Sequence, residues 1–519
     1  YFILGYFFTG TDTLTLIETS RIHSFNDFAR LFAEPLMAGS KFVDIAKFFR
    51  PVATLSYTFD YAVWHLNPFG FQLTNLLLNA LVACLIVVVM YQLSKGNLLF
   101  AWLSGVVFAL HPILVESVPA TDRRHDIIAA VFLLLSISFF LKSMASDTAK
   151  RWLIFSSLFF YILALGGKET AIIIPALIFV QIYIYSNSPS RRERFILSMK
   201  GTAPYLVLTV SYLTWRTLVL GGLGGYSRSG PLEFDERCAY VVNIFHNYII
   251  DLMYPADPLG VLNCCYANWW TLVALTFFCA YIGFYISGFT FSKGSSYRRE
   301  SVNLLLCLAF WLLIPLLLFI TTFTFAHRNM YIPTISFSAL LAYPLAETLK
   351  STWTTWFRFR SDERKIFMPC LSLKAREVVV AMGVLMFCYL LIYSPLVRNY
   401  DQWEASARMG RIILTRLASG THELTQDCRV NLYNLPECLK SYEKKEAKAK
   451  EVTYLSDYSI KSWLNMCGFH KNLDVIIHSR SQPWDFSGDL SVAILQLGKK
   501  NLRAIVRMKP TAHRNTLIR

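Results

Sequence analysis

Charged side chains recur where an apolar chain gives them little reason to be. Carboxylates stand at Asp12, Glu18, Glu116, Asp126 and Glu169, and cations at Arg123, Arg124, Lys168, Arg216 and Arg328. Charges at the edge of apolar runs cost free energy unless they are paired, solvated or used. Used together, such cations suit a phosphate held by charge-assisted hydrogen bonds. Carboxylates beside them suit general-base work or a divalent metal. The densest stretch is His111–Asp126, HPILVESVPATDRRHD. It joins two apolar runs, Leu98–Leu110 and Ile127–Leu141, where a bland short loop would serve.

The elements that must position these groups are membrane helices. Of 519 residues, 55% are hydrophobic and 16% charged, against about 25% charged in soluble domains. Apolar runs of about 20 residues recur. Tyr1–Thr9 reads as the end of a first helix that begins before this sequence. Further spans are expected at Leu73–Tyr91, Leu98–Leu114, Ile127–Met144, Trp152–Leu165, Ala171–Ser186 and Ala203–Leu220. After a gap come Trp270–Ser287, Val302–Thr322, Tyr331–Leu349 and Val378–Leu396. The fold class is an all-α polytopic membrane protein of about eleven transmembrane helices. A small α+β extramembrane domain follows at 399–519, after a membrane domain at 1–398.

Basic clusters fix the sides. Lys142/Lys150/Arg151, Arg191/Arg192/Arg194/Lys200, Lys293/Arg298/Arg299 and Arg358–Arg376 follow alternate spans and belong in the cytoplasm. The net charge of +16 is then mainly this bias, and no nucleic-acid partner is expected. Parity sends the first loop (10–66), His111–Asp126, Gly167–Thr170, the 221–269 loop, Phe323–Met330 and the C-terminal part to the opposite face. Counting 238–254 as a span would break the alternation, so it reads as an interfacial or re-entrant helix. The charges named at the outset therefore converge on one outer face.

Plainer roles compete at each position. Arg124–Asp126 and Lys168–Glu169 can be ion pairs that close helix ends. His111, before Pro112, can simply end a helix, and the same holds for His125 and His327. Arg50–Pro51 is a turn anchor or a headgroup contact. GGLGG at 221–225 lacks the P-loop lysine and reads as a hinge. The run Lys440–Glu451 is a solvated charged stretch. The 11 cysteines form no CxxC or Cys/His zinc spacing. Cys428 and Cys438, if bridged, close a short loop in an oxidising compartment.

Five segments resemble one family. They are FRPVATLSYTFDYAVWHLNPFGFQLTNLLLNAL (Phe49–Leu81), FALHPILVESVPATDRRHDIIAAVFLLLS (Phe108–Ser136), GGKETAIIIPAL (Gly166–Leu177), WRTLVLGGLGGY (Trp215–Tyr226) and HRNMYIPTISF (His327–Phe337). In order and spacing they resemble the membrane domain of the transmembrane-and-TPR O-mannosyltransferases and their prokaryotic relatives, over about residues 1–400. The resemblance implies a GT-C type, inverting hexosyltransferase with a polyprenyl- or dolichyl-phosphate sugar donor, mannose among the candidates. It also implies an external or luminal site with a carboxylate in the first external loop. The family often has an Asp-Asp pair there, where this sequence has Thr11-Asp12. No TPR repeat follows; VNLYNLPEC and LSDYSIKSWL resemble the extramembrane ends of prokaryotic relatives.

The expected roles follow. Asp12, Glu116 and Asp126 are the catalytic candidates, with Asp12 accepting the acceptor hydroxyl's proton or orienting that hydroxyl. Arg124, Lys168, Arg216 and Arg328 hold the donor phosphate, the leaving group. His111, Arg50, Glu169, His327 and Tyr331 support them. A divalent cation, Mg2+ or Mn2+, stays open, with Asp12 and Glu116 as its ligands. The expected partners are the lipid-linked sugar, a protein or glycan acceptor, membrane lipids and further subunits. The expected membrane is a prokaryotic plasma membrane with the site facing outside or the periplasm, or the endoplasmic reticulum with a luminal site. A non-catalytic scaffold subunit is the alternative reading. A lipid transporter would need ionisable groups at mid-depth, where these spans are almost wholly apolar.

Overall fold

The computed structural model describes residues 2–146, 148–226, 241, 252, 295–321, 327–360, 373–394, 401–421, 428–433, 438–439, 452–453, 455–468, 473–478, 490–496 and 502–508. These residues are mainly helical. Pro68–Leu93, Thr121–Ala145 and Arg299–Phe319 are long and apolar enough to cross a membrane. Leu98–Leu110, Glu169–Tyr185 and Val380–Ile392 are shorter apolar helices. The chain is a membrane protein. The span expected at Trp270–Ser287 lies outside the described residues, as does nearly all of the 238–254 segment.

Local chemistry explains the helix ends. Pro51 and Pro68 open Pro51–Trp64 and Pro68–Leu93, where a missing N–H costs nothing. Asn67 and Asn97 cap Pro68–Leu93 and Leu98–Leu110 by accepting from the amides of Phe69 and Phe100. Helix Leu98–Leu110 stops at His111, the residue before Pro112, rather than at Leu114, because proline disfavours helical geometry in its predecessor. The expected end of a first helix is instead a 3-10 turn, Phe2–Gly5, followed by non-helical chain to Gly10. The long first loop contains four helices of its own, Thr13–Thr19, Phe25–Ala33, Phe42–Ile45 and Pro51–Trp64.

Glycines let the membrane helices close on one another. A Cβ at Gly105 would lie 2.6 Å from Val87 and 3.0 Å from the Ala83 carbonyl. The bundle has two polar ends. At one, Lys95 meets Glu300 at 2.7 Å and Asn97 donates to Glu347 at 2.7 Å. At the other, Gln72 and Asn75 donate to the carbonyls of Pro119 and Val118. The functional candidates cluster at this second end.

Two apolar cores result. One fills the helical bundle around Val107, Phe108, Ile127, Leu134 and Ile174. The other joins the first loop to the C-terminal part, packing Leu14, Leu16, Ile17 and Tyr57 with Leu414, Val430, Ile460 and Trp463. It therefore crosses the boundary expected at 398. Beyond that boundary lie the helices Asp401–Thr421 and Asp457–Met466 and a four-stranded sheet. Its order is Leu473–His478, Cys428–Tyr433, Leu490–Gln496, Leu502–Met508; the first pair is parallel and the other two antiparallel. The side chains of Cys428 and Cys438 lie outside the described residues, so the expected bridge does too.

Candidate functional site

The first loop is fastened to the His111–Asp126 loop before any chemistry is considered. Thr9 donates to the Pro119 carbonyl at 2.5 Å, and Thr121 donates to the Thr9 carbonyl at 2.9 Å. The Thr13 and Thr121 hydroxyls meet at 2.8 Å. Tyr57 donates to the Thr121 carbonyl at 2.5 Å. Each such bond contributes about 0.5–1.5 kcal/mol net, and leaving one buried partner unmet costs more. Gly10 has φ +95°, and a Cβ there would collide with the Asp122 carboxylate. That close approach brings Asp122 against the start of helix Thr13–Thr19.

Two acids meet as a result. The Asp12 amide lies 3.4 Å from Asp122 Oδ2. Asp12 Oδ1 accepts from the Tyr458 hydroxyl at 2.6 Å. Burial and then the neighbouring Asp122 carboxylate push the Asp12 carboxyl up to about 6, against the pull of Tyr458, Arg328 and Arg123. Asp122 Oδ1 has no hydrogen-bond partner among the described residues. The acid beside Asp12 thus comes from another loop.

The other carboxylates are met by cations. Glu116 pairs with Arg123, whose guanidinium also lies 6.0 Å from the Trp403 ring. Asp126 pairs with Lys168 and lies 3.2 Å from His125 Nε2. Glu169 takes Arg50 through both oxygens, at 3.0 and 2.6 Å, with the guanidinium over Phe48. Glu116 and Asp126 thus orient cations, while Asp12 stands against another acid. Arg50 and Thr54 also line a cavity of about 310 Å³ together with Glu18, Arg21 and His23.

Arg124 departs from the expected phosphate role. It is 0% exposed. Its Nη2 lies 2.6 Å from Asp60, its Nε donates to Asn75 at 2.6 Å, and it reaches the carbonyls of Ser56 and Phe71. The Tyr57 ring packs 4.7 Å from it. With its donors met inside the protein, Arg124 ties Pro51–Trp64 and Pro68–Leu93 to the start of Arg124–Ala145. Asp60 is itself held by Thr74 at 2.7 Å.

The remaining candidates divide. Arg216 is half-buried, and its Nε has no hydrogen-bond partner among the described residues. It lies near Glu169. Gly224 and Gly225, expected as a hinge, form a packed turn: a Cβ at Gly224 would lie 2.7 Å from the Lys47 carbonyl, and Gly225–Tyr226 pairs with Ala46–Lys47. Arg328, on the turn His327–Met330, is close enough to draw the Asp12 carboxyl down. The His327 side chain lies outside the described residues. Tyr331 is buried and donates to Asn79 at 2.7 Å. His111 is the C-cap of Leu98–Leu110, and its Nε2 lies 2.9 Å from the Leu252 carbonyl.

Glu116, expected with Asp12 as a metal ligand, pairs with Arg123. No group of three or more His, Cys, Asp or Glu gathers at metal-holding distance among the described residues. The sequence reading missed Asp60, Asn75 and Tyr458, and did not give Asp122 a role. Asp60, an acid inside the apolar SYTFDYAVW, carries the usual signal of a buried charge. Tyr458 carries none; it lies 446 residues from its partner.

No family model matches the chain. The protein O-mannosyl-transferase TMTC3 of Mus musculus is 24% identical over 462 residues, covering 82% of this chain and 46% of that protein. TMTC3 of Homo sapiens is 24% identical over 332 residues, covering 57% and 35%. TMTC2 of Mus musculus is 35% identical over 111 residues, covering 20% and 13%. The chain is related to these transferases. It spans less than half the length of each of these three relatives. Among solved structures, the archaeal oligosaccharyltransferase AglB from Archaeoglobus fulgidus, in complex with an inhibitory peptide and a dolichol-phosphate, matches with TM-score 0.45 and 12% identity. That match covers 80% of this chain and 55% of AglB.

Proposed function

We propose that the protein is a glycosyltransferase of the external or luminal membrane face. It moves a hexose, mannose in the first instance, from a polyprenyl- or dolichyl-phosphate to a hydroxyl on a protein or glycan. The observation that carries this reading is the Asp12 carboxyl, which accepts from the Tyr458 hydroxyl at 2.6 Å while its amide lies 3.4 Å from Asp122, and which burial and Asp122 push up to about 6. A base poised near neutral pH takes a hydroxyl proton most effectively. The relationship to proteins named O-mannosyl-transferases supports the same class.

In the reaction, the acceptor oxygen attacks the anomeric carbon and its proton passes to Asp12. The bond from that carbon to the phosphate oxygen breaks, and its electron pair leaves with the phosphate. Arg216, Lys168 and Arg328 stabilise the charge that develops there. Arg216 suits this best, because its Nε is not engaged. Glu116, Asp126 and Glu169 hold neighbouring cations in place. A domain boundary at 398, about eleven spans and an α+β C-terminal domain belong to this reading. So does an outward-facing site, in a plasma membrane or in the endoplasmic reticulum.

The test is transfer from dolichyl phosphate mannose to a serine- and threonine-rich peptide by the purified full chain. Asp12→Asn is expected to cut transfer at least about 100-fold, the lower end for loss of a general base, with normal yield in the membrane. An unchanged rate in that variant removes Asp12 from the chemistry.

A further inference from the structure

Helix Asp457–Met466 belongs to the C-terminal part of the chain, yet it lies along Thr13–Thr19. Its sequence explains the docking. Ser456 caps it by accepting from the Ser459 amide, and Ile460, Trp463 and Leu464 bury one face. Trp463 donates to the Leu414 carbonyl at 2.9 Å. Polar contacts run along the seam: Lys41 to Asp457 at 3.0 Å, Ser462 to Thr15 at 3.1 Å, and Asn465 to Glu18 at 2.8 Å.

These contacts already dock the helix. Tyr458 does something else. Its ring meets Phe42 edge-on at 6.2 Å, and its hydroxyl donates to Asp12 at 2.6 Å. The same side chain lines a cavity of about 450 Å³ with Lys41, Asp457, Lys461 and Ser462. Tyr458 thus stands between open space and the Asp12 carboxylate.

We propose that Tyr458 is a positioning residue for the reaction at Asp12, so that the C-terminal part of the chain completes the site. The inference rests on reading Asp12 as the base. A carboxylate pressed by a second acid is free to turn; a phenol bonded to one oxygen fixes its direction and favours its charged form. The phenol stays protonated for this task, because burial and the Asp12 charge raise it well above its ordinary value. The other groups facing Asp12 are Asp122 and Arg123 from the Thr121–Arg123 turn and Arg328 from His327–Met330.

Two measurements on the full chain in detergent test this. Carbodiimide labels protonated carboxyls, so peptide mass spectrometry of Asp12 against pH gives its midpoint without any turnover. Tyr458→Phe is expected to raise that midpoint by about one pH unit, the loss of one hydrogen bond to a charged group. Lys41→Ala, which loosens the same seam, should leave it in place. In the mannose transfer assay, Tyr458→Phe should move the acid limb upward to match, slowing transfer about tenfold at pH 5, with the KM for dolichyl phosphate mannose unchanged. An unmoved midpoint in Tyr458→Phe, or an equal movement in Lys41→Ala, overturns the proposal. A wild-type chain that transfers nothing overturns the transferase reading, while the labelling still decides whether Tyr458 grips Asp12.

Discussion

Arg124 and Asp122 lie two residues apart, and both are buried. Arg124 meets an opposite charge, a side-chain amide and two carbonyls. Asp122 accepts from the Asp12 amide at 3.4 Å and presses on the Asp12 carboxyl, an acid like itself; its other oxygen lies 4.0 Å from Arg123 Nε and has no hydrogen-bond partner among the described residues. The first arrangement is what a frame needs, because each guanidinium nitrogen of the buried cation has an acceptor. The second is unfavourable for folding and useful for proton transfer. One short loop thus supplies both the pin that holds two helices and the pressure on the catalytic candidate.

Breaking the pin should have the largest effect. Asp60→Ala leaves the Arg124 charge buried without its counter-ion, and removing one partner of a buried pair costs about 3–5 kcal/mol. Thermal unfolding in detergent should show a drop of that size or no folded protein at all. Adding Arg124→Met should restore much of the loss, since no charge is then stranded. If Asp60→Ala melts with the wild type, Arg124 is not structural and the contrast between the two regions fails.

Relieving the acid pair comes next. Transfer that needs ionised Asp12 should fall about tenfold per pH unit below about 6. Asp122→Asn removes a like charge, so the acid limb should move down and transfer should persist into more acidic buffer. Stability runs the other way. A carboxyl whose folded value is raised from 3.8 to about 6 contributes stability below 3.8 that is lost as pH rises through 6. Wild-type melting should therefore decline across pH 4–6 by more than that of Asp122→Asn. Equal slopes in the two proteins would show that Asp122 exerts no pressure on Asp12.

The unequal legibility of these two regions has a physical basis. Hydropathy and the positive-inside rule work on runs of local sequence, and they brought Asp12, Lys168, Arg50, Glu169 and Arg328 to one end. The mistaken role of Arg124 has a different origin. A cation that binds a ligand and one that pins helices look alike until Asp60 and Asn75 are placed around it. Asp122 was visible in the loop, but its approach to Asp12 depends on the φ +95° turn at Gly10. Tyr458 was beyond local reasoning, because its partner lies 446 residues away and only tertiary packing joins them. The helix Pro51–Trp64 was hidden in a loop by its interrupted apolar pattern, although Pro51 marks its start.

The smallest expected effect tests whether the hydroxyl ladder between the two loops belongs to the frame or to the chemistry. Thr13 donates to the Thr9 carbonyl at 2.6 Å and meets Thr121 at 2.8 Å, and it sits one residue from Asp12. Thr13→Val keeps the shape and removes the hydroxyl. The Thr121 hydroxyl still donates to the Thr9 carbonyl at 2.9 Å, so the seam loses one link rather than its hold. The cost should be about 1 kcal/mol, seen as a slightly lower melting temperature. Because no charge facing Asp12 changes, the acid limb of transfer should stay where it is. A displaced limb in Thr13→Val would mean that the ladder tunes Asp12 directly, and the line drawn between a satisfied frame and a strained site would have to move to include it.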